Sequence, residues 1–107
     1  MGIRDLVATQ PHARFHALAT IGVIAAGFGF GVSRLEAAVL GIAVATVWTA
    51  EAFNTAIEAL VDLVHPDWAR PAGRVKDLAA GAVLLAACGA AVAGVLIFYP
   101  YVLPLVG

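Results

Sequence analysis

The sequence predicts an all-α integral membrane bundle of three transmembrane helices. Three observations carry this expectation. First, the chain has 107 residues, of which 63% are apolar and only 12% charged, with a mean hydropathy of +0.98. An ordinary soluble domain is about 45–50% apolar and about 25% charged. Second, long stretches lack any Asp, Glu, Lys or Arg: residues 15–33, 37–50 and 78–107. A membrane-spanning helix needs about 20 mostly apolar residues. Third, helix start and stop signals fall between these stretches. A chain this short forms one domain, residues 1–107. It could not bury so much apolar surface in a core of its own, because small domains bury a lower fraction of their surface. Disorder is excluded too, since it requires low hydrophobicity and high charge.

The elements follow in order. Residues 1–14 form a short N-terminal surface segment, with Asp5 a capping residue. The first span covers about 15–33. It is long for a signal-peptide apolar region, and Ser33-Arg34-Leu35 is a poor cleavage site, so it is expected to be retained. Ser33-Arg34-Leu35-Glu36 matches the S-x-x-E capping box and opens the second span, about 35–64. Pro66 stops that helix. Pro71, Ala72 and Gly73 mark the next connection, and Asp77 falls in the first turn of the third span, about 76–99. Pro100 and Pro104 end it. Small residues recur every fourth position at Ala82, Ala86, Ala90 and Gly94, and at Gly27 and Gly31. Such stripes let helices approach closely in lipid. Arg4, Arg14, Arg70, Arg74 and Lys76 lie on one side and Arg34 on the other. This asymmetry places the N-terminus in the cytoplasm and the C-terminus outside.

Bulk charge narrows the function. Six Lys+Arg against seven Asp+Glu give a net charge of −1. Nucleic-acid binding requires a basic excess that is absent here. The lone Cys88 forms no intrachain disulfide and reads as a small packing residue.

One segment breaks the apolar pattern. Glu51, Asn54, Thr55, Glu58 and Asp62 stand at offsets 0, 3, 4, 7 and 11. At 3.6 residues per turn they share one helix face, in a stripe about 16 Å long. Ionisable groups in a span are expensive and usually functional. A plain packing site would pair such carboxylates with Arg14 or Arg74, but two carboxylates two turns apart with an Asn between them suit that reading poorly. A buried carboxylate is suited to act as a base toward a hydroxyl at the membrane surface. A second carboxylate nearer water could hold Mg²⁺, which usually binds together with substrate phosphates. A lysine meets phosphates as a point charge, and Lys76 lies on the same side with Arg70 and Arg74. These are the parts of phosphoryl transfer to a lipid alcohol. Neither G-x-x-x-x-G-K-[ST] nor a protein-kinase signature occurs.

The pattern Glu51-x-x-Asn54-Thr55-Ala56-Ile57-Glu58-x-x-x-Asp62, followed by Gly73-Arg74-Val75-Lys76-Asp77, resembles the prokaryotic diacylglycerol kinase family, which includes undecaprenol kinases. The resemblance covers nearly the whole chain. It implies a homotrimeric, three-span bacterial inner-membrane enzyme that uses MgATP and builds its active sites between subunits. Carried over by position, Glu51 resembles the catalytic base and Asn54 its positioning partner, both at the lipid substrate. Glu58 resembles the metal-bridging carboxylate. Lys76 and Asp77 resemble the nucleotide-contacting pair, with Asp67 and Trp68 in the nucleotide loop. Arg14 resembles the basic position near the lipid headgroup.

The sequence also departs from the family pattern. Gln10 stands where the family has a Glu that shares the metal and the nucleotide site. Ala69 replaces a frequent His, and the N-terminal surface helix is short. The Ile97-Phe98-Tyr99-Pro100 ending resembles the undecaprenol branch. The sequence admits two other readings. Gln10 and the short N-terminus would suit a catalytically impaired family member. A small proton- or ion-translocating subunit also carries an intramembrane carboxylate, but places it near mid-span and has no use for Asn54, Glu58, Asp62, Gly73 and Lys76.

Overall fold

The computed structural model describes residues 11–67 and 69–107, with side chains from residue 13 onward. Gln10, Trp68 and most of the N-terminal surface segment lie outside the described residues. The chain forms three helices: α1 (Pro11–Phe30), α2 (Arg34–Val64) and α3 (Arg70–Val106). Each is long and apolar enough to cross a membrane. The whole measures 54 × 26 × 23 Å.

Helix α1 is already helical at Pro11 and ends at Phe30, so the expected span 15–33 is shifted toward the N-terminus. Its end is set by Gly31, which adopts a left-handed φ of +66°. The Gly27 carbonyl accepts from the Gly31 and Val32 N–H groups at 3.0 and 3.1 Å, satisfying a group that the helix end leaves open. Gly31 is thus a backbone requirement and not a close-packing residue. A Cβ on Gly27 would meet only Val32 of the following turn, at 3.7 Å. The Gly27–Gly31 pair therefore brings no second helix into close contact within the chain. Ala82 and Ala86 do face α2, lining a cavity shared with Ala45, Thr49 and Ala50.

Helix α2 begins as its sequence dictates. Ser33 Oγ accepts from the Glu36 N–H at 3.1 Å, and Glu36 Oε1 accepts from the Ser33 N–H at 2.9 Å. The helix closes at Val64, where the His65 N–H bonds the Val61 carbonyl at 2.7 Å and Pro66 follows.

Helix α3 departs from expectation at both ends. It starts at Arg70 with Pro71 in its first turn, so Pro71, Ala72 and Gly73 belong to the helix and not to the connection. The N–H that proline lacks is one that a first turn leaves unbonded anyway. Asp77 consequently lies about two turns inside the helix and not in its first turn. At the other end, α3 continues through Pro100 and Pro104 to Val106. Each proline removes one N–H donor, which helices in lipid tolerate where neighbouring helices, hydroxyl side chains or local helix adjustments re-satisfy the freed carbonyls. The end is also held by side chains. The Tyr101 hydroxyl donates to Glu36 Oε1 at 2.5 Å, and the Phe30 ring lies 6.1 and 5.8 Å from those of Phe98 and Tyr101.

Helices α2 and α3 pack along each other, whereas α1 rests more lightly on α2. Among the described residues only Ala13, Leu40, Val47 and Ala79 form a buried apolar core, while Phe28 is 87% exposed and Leu63 81%. In water such a surface would be untenable; it suits lipid or neighbouring apolar helices. A polar link joins α1 to α2: Trp48 Nε1 donates to Thr20 Oγ at 2.9 Å, and the Thr20 hydroxyl donates to the His16 carbonyl at 2.7 Å.

Candidate functional site

The polar stripe forms as the 3.6-residue period requires, on one continuous helix, α2. Glu51 is the one buried polar or charged residue among those described, at 2% exposure. A buried carboxylate needs a partner or a proton. Its neighbour is His16 of α1, whose Nε2 lies 3.1 Å from Glu51 Oε2. The approach is off the line of a straight hydrogen bond, since Oε2 has no directed partner. One turn further along α2, Asn54 Nδ2 donates to Glu58 Oε1 at a long 3.4 Å.

Three buried side-chain atoms among the described residues lack a directed hydrogen bond: Glu51 Oε2, Asn54 Oδ1 and Thr55 Oγ. All lie within residues 51–55, just over one turn of a single helix. Thr20 and Thr46 satisfy their hydroxyls by bonding back to the carbonyls of His16 and Ile42. Thr55 does not. Buried polar groups in native proteins are overwhelmingly paired, so each exception calls for an explanation.

Toward the connection with α3 the stripe becomes exposed. Asp62 pairs with Lys76 of α3, Oδ1 to Nζ at 2.5 Å. The Asp67 side chain is exposed, and its carbonyl accepts from His65 Nδ1 at 2.7 Å. Arg14 and Asp77 are exposed as well. The structure thus gathers Glu51, Asn54 and Glu58 on one α2 face and brings Lys76 to its outer end. Gln10 and Trp68 cannot be placed, because they lie outside the described residues.

His16 is the residue that sequence reasoning missed as the partner of Glu51. The signal was present, since His16 is the titratable side chain in the charge-free run 15–33. Pairing the stripe's carboxylates with Arg14 or Arg74 left it out. The Trp48 indole N–H likewise finds a polar partner on α1, the Thr20 hydroxyl.

No three His, Cys, Asp or Glu side chains among the described residues are grouped to cage a metal. Mg²⁺ does not need such a cage, because it is usually held by one or two carboxylates together with substrate phosphates and water. Glu58 fits that donor chemistry. It is a half-buried carboxylate, and Oε1 takes only a long amide contact from Asn54.

The fold and stripe define a class: a small three-span membrane protein whose second helix carries a row of carboxylates ending beside a lysine. Residues 1–98 match the prokaryotic diacylglycerol kinase family. The chain belongs to that family of lipid kinases, as its motifs suggested. It is similar to an undecaprenol kinase of Bacillus subtilis (strain 168), with 35% identity over 99 residues, covering 92% of this chain and 80% of the relative. It is also similar to a diacylglycerol kinase of Synechocystis sp. (strain ATCC 27184 / PCC 6803 / Kazusa), with 37% identity over 105 residues. That match covers 97% of this chain but 60% of the Synechocystis protein, so the chain spans less than two thirds of that relative's length.

Proposed function

We propose that the protein transfers the γ-phosphate of ATP to a lipid alcohol, undecaprenol or diacylglycerol, at the cytoplasmic face of a bacterial inner membrane. The observation that carries this reading is the cluster of unpartnered buried atoms at Glu51, Asn54 and Thr55. A substrate hydroxyl would complete them. Membership of a lipid kinase family supplies the class of reaction.

In this reading Glu51 accepts the proton of the lipid hydroxyl, and its burial keeps competing water away. Asn54 orients the hydroxyl while its amide stays on Glu58. Glu58, with Gln10, would hold Mg²⁺, which when bound offsets the charge of the phosphates. Lys76 exchanges Asp62 for the phosphates of ATP. Asp77, Asp67 and Trp68 form the nucleotide side of the site, and Arg14 attends the lipid headgroup. The light packing of α1 and the many exposed apolar side chains support a homotrimer in which a neighbouring subunit closes each site.

The test is phosphate transfer from labelled ATP with Mg²⁺, using the purified chain in lipid vesicles that contain diacylglycerol or undecaprenol. Transfer to one lipid selects the branch. Absence of transfer to both, from a folded protein, contradicts the kinase reading and favours an impaired family member.

A further inference from the structure

The Glu51 carboxylate faces a group that the family motif does not include. We propose that His16 is a positioning residue for Glu51: its Nε2, 3.1 Å from Oε2, fixes the carboxylate against the imidazole in the orientation that receives the substrate proton. This rests on the kinase reading above and deepens it. The geometry supplies three reasons. The His16 and Glu51 side chains are 13% and 2% exposed and 3.1 Å apart. A carboxylate this buried needs a partner or a proton, and the imidazole of His16 is the group set beside it. His16 is itself fixed: its carbonyl receives the Thr20 hydroxyl, Thr20 receives the Trp48 indole, and the Phe15 ring meets the imidazole edge-on at 5.7 Å. Trp48 lies three residues before Glu51 on the same helix, so α1 is pinned to α2 beside the carboxylate.

The step balances without a proton from His16. The lipid O–H bond breaks, and its oxygen forms a bond to the γ-phosphorus. The bond from that phosphorus to the bridging oxygen breaks, and the leaving ADP keeps the electron pair. The proton goes to the Glu51 carboxylate, while His16 neither gains nor loses one.

The experiment is a mutant cycle on the full chain in vesicles, read as phosphate transfer to the preferred lipid. His16→Ala is expected to lower kcat about 10- to 100-fold, the scale of losing a residue that orients a reacting group. KM for ATP is expected to stay within about twofold, because the ATP side of the site is elsewhere. His16→Gln, which restores an N–H donor, should recover most of the loss. In a Glu51→Gln background His16→Ala should cost nothing further, since the two act as a unit. Losses that multiply in the double variant, or a change confined to KM, would overturn the positioning role. No recovery by His16→Gln, in protein that keeps its helix content, would overturn it as well. Absence of transfer in the unmodified protein would instead overturn the kinase reading beneath it, which separates the two failures.

Discussion

Thr55 shows how a single side chain separates function from stability. Its hydroxyl is buried without a partner. Replacing an unsatisfied buried hydroxyl by a methyl of the same shape is nearly neutral or stabilising. Thr55→Val is therefore expected to unfold no more readily than the unmodified chain. If the hydroxyl serves the lipid substrate, the same change raises the lipid KM about tenfold, equivalent to one hydrogen bond of about 1.4 kcal/mol. Thermal unfolding in micelles and a kinetic assay on one preparation check both halves. Asp62 is the complementary case. Its pair with Lys76 is exposed, and exposed ion pairs contribute about 0–1 kcal/mol. Asp62→Asn should leave stability almost untouched and change KM for ATP, because Lys76 would no longer be contested; an unchanged KM counts against Lys76 as a phosphate contact. At this scale the sequence revealed the stripe, because helical periodicity alone places offsets 0, 3, 4, 7 and 11 on one face. It did not reveal His16 opposite Glu51. That pairing depends on how α1 crosses α2, and no local pattern encodes a crossing.

At the scale of the element, what could be read depended on whether the signal was local. The α2 start was legible because both hydrogen bonds of the Ser33–Glu36 box form within four residues. Ser33→Ala should cost about 1 kcal/mol, the usual loss of a helix cap, measured by chemical unfolding in micelles. No loss would mean that α2 is held at this end by Tyr101 and Glu36 alone. The ends of α3 were misread because each proline was taken as a helix stop, although a first turn accommodates proline and a membrane helix tolerates it near its end. Pro71 opens the helix, and Pro100 and Pro104 do not stop it. Gly31 was misread for the opposite reason. Its spacing from Gly27 imitates a packing stripe, while its left-handed φ serves the turn.

For the whole molecule, composition fixed the class but not the assembly. An apolar content of 63% with so few buried side chains accords with a chain that meets lipid or other helices on most faces. Lipid contact alone would set the half-buried Asn54 and Glu58 side chains against hydrocarbon, at a cost of several kcal/mol for any unsatisfied polar group. A trimer should therefore be found by native mass spectrometry in mild detergent. A species that is monomeric yet active would contradict a site shared between subunits.

The most direct measurement is transfer of labelled γ-phosphate from ATP to undecaprenol and to diacylglycerol, comparing the unmodified chain with Glu51→Gln. General-base catalysis contributes about 10²- to 10⁴-fold. The expected result is measurable transfer by the unmodified chain and a loss of that size in kcat for Glu51→Gln, with KM for ATP unchanged. Equal transfer by both proteins would contradict the assignment of the buried carboxylate as the base.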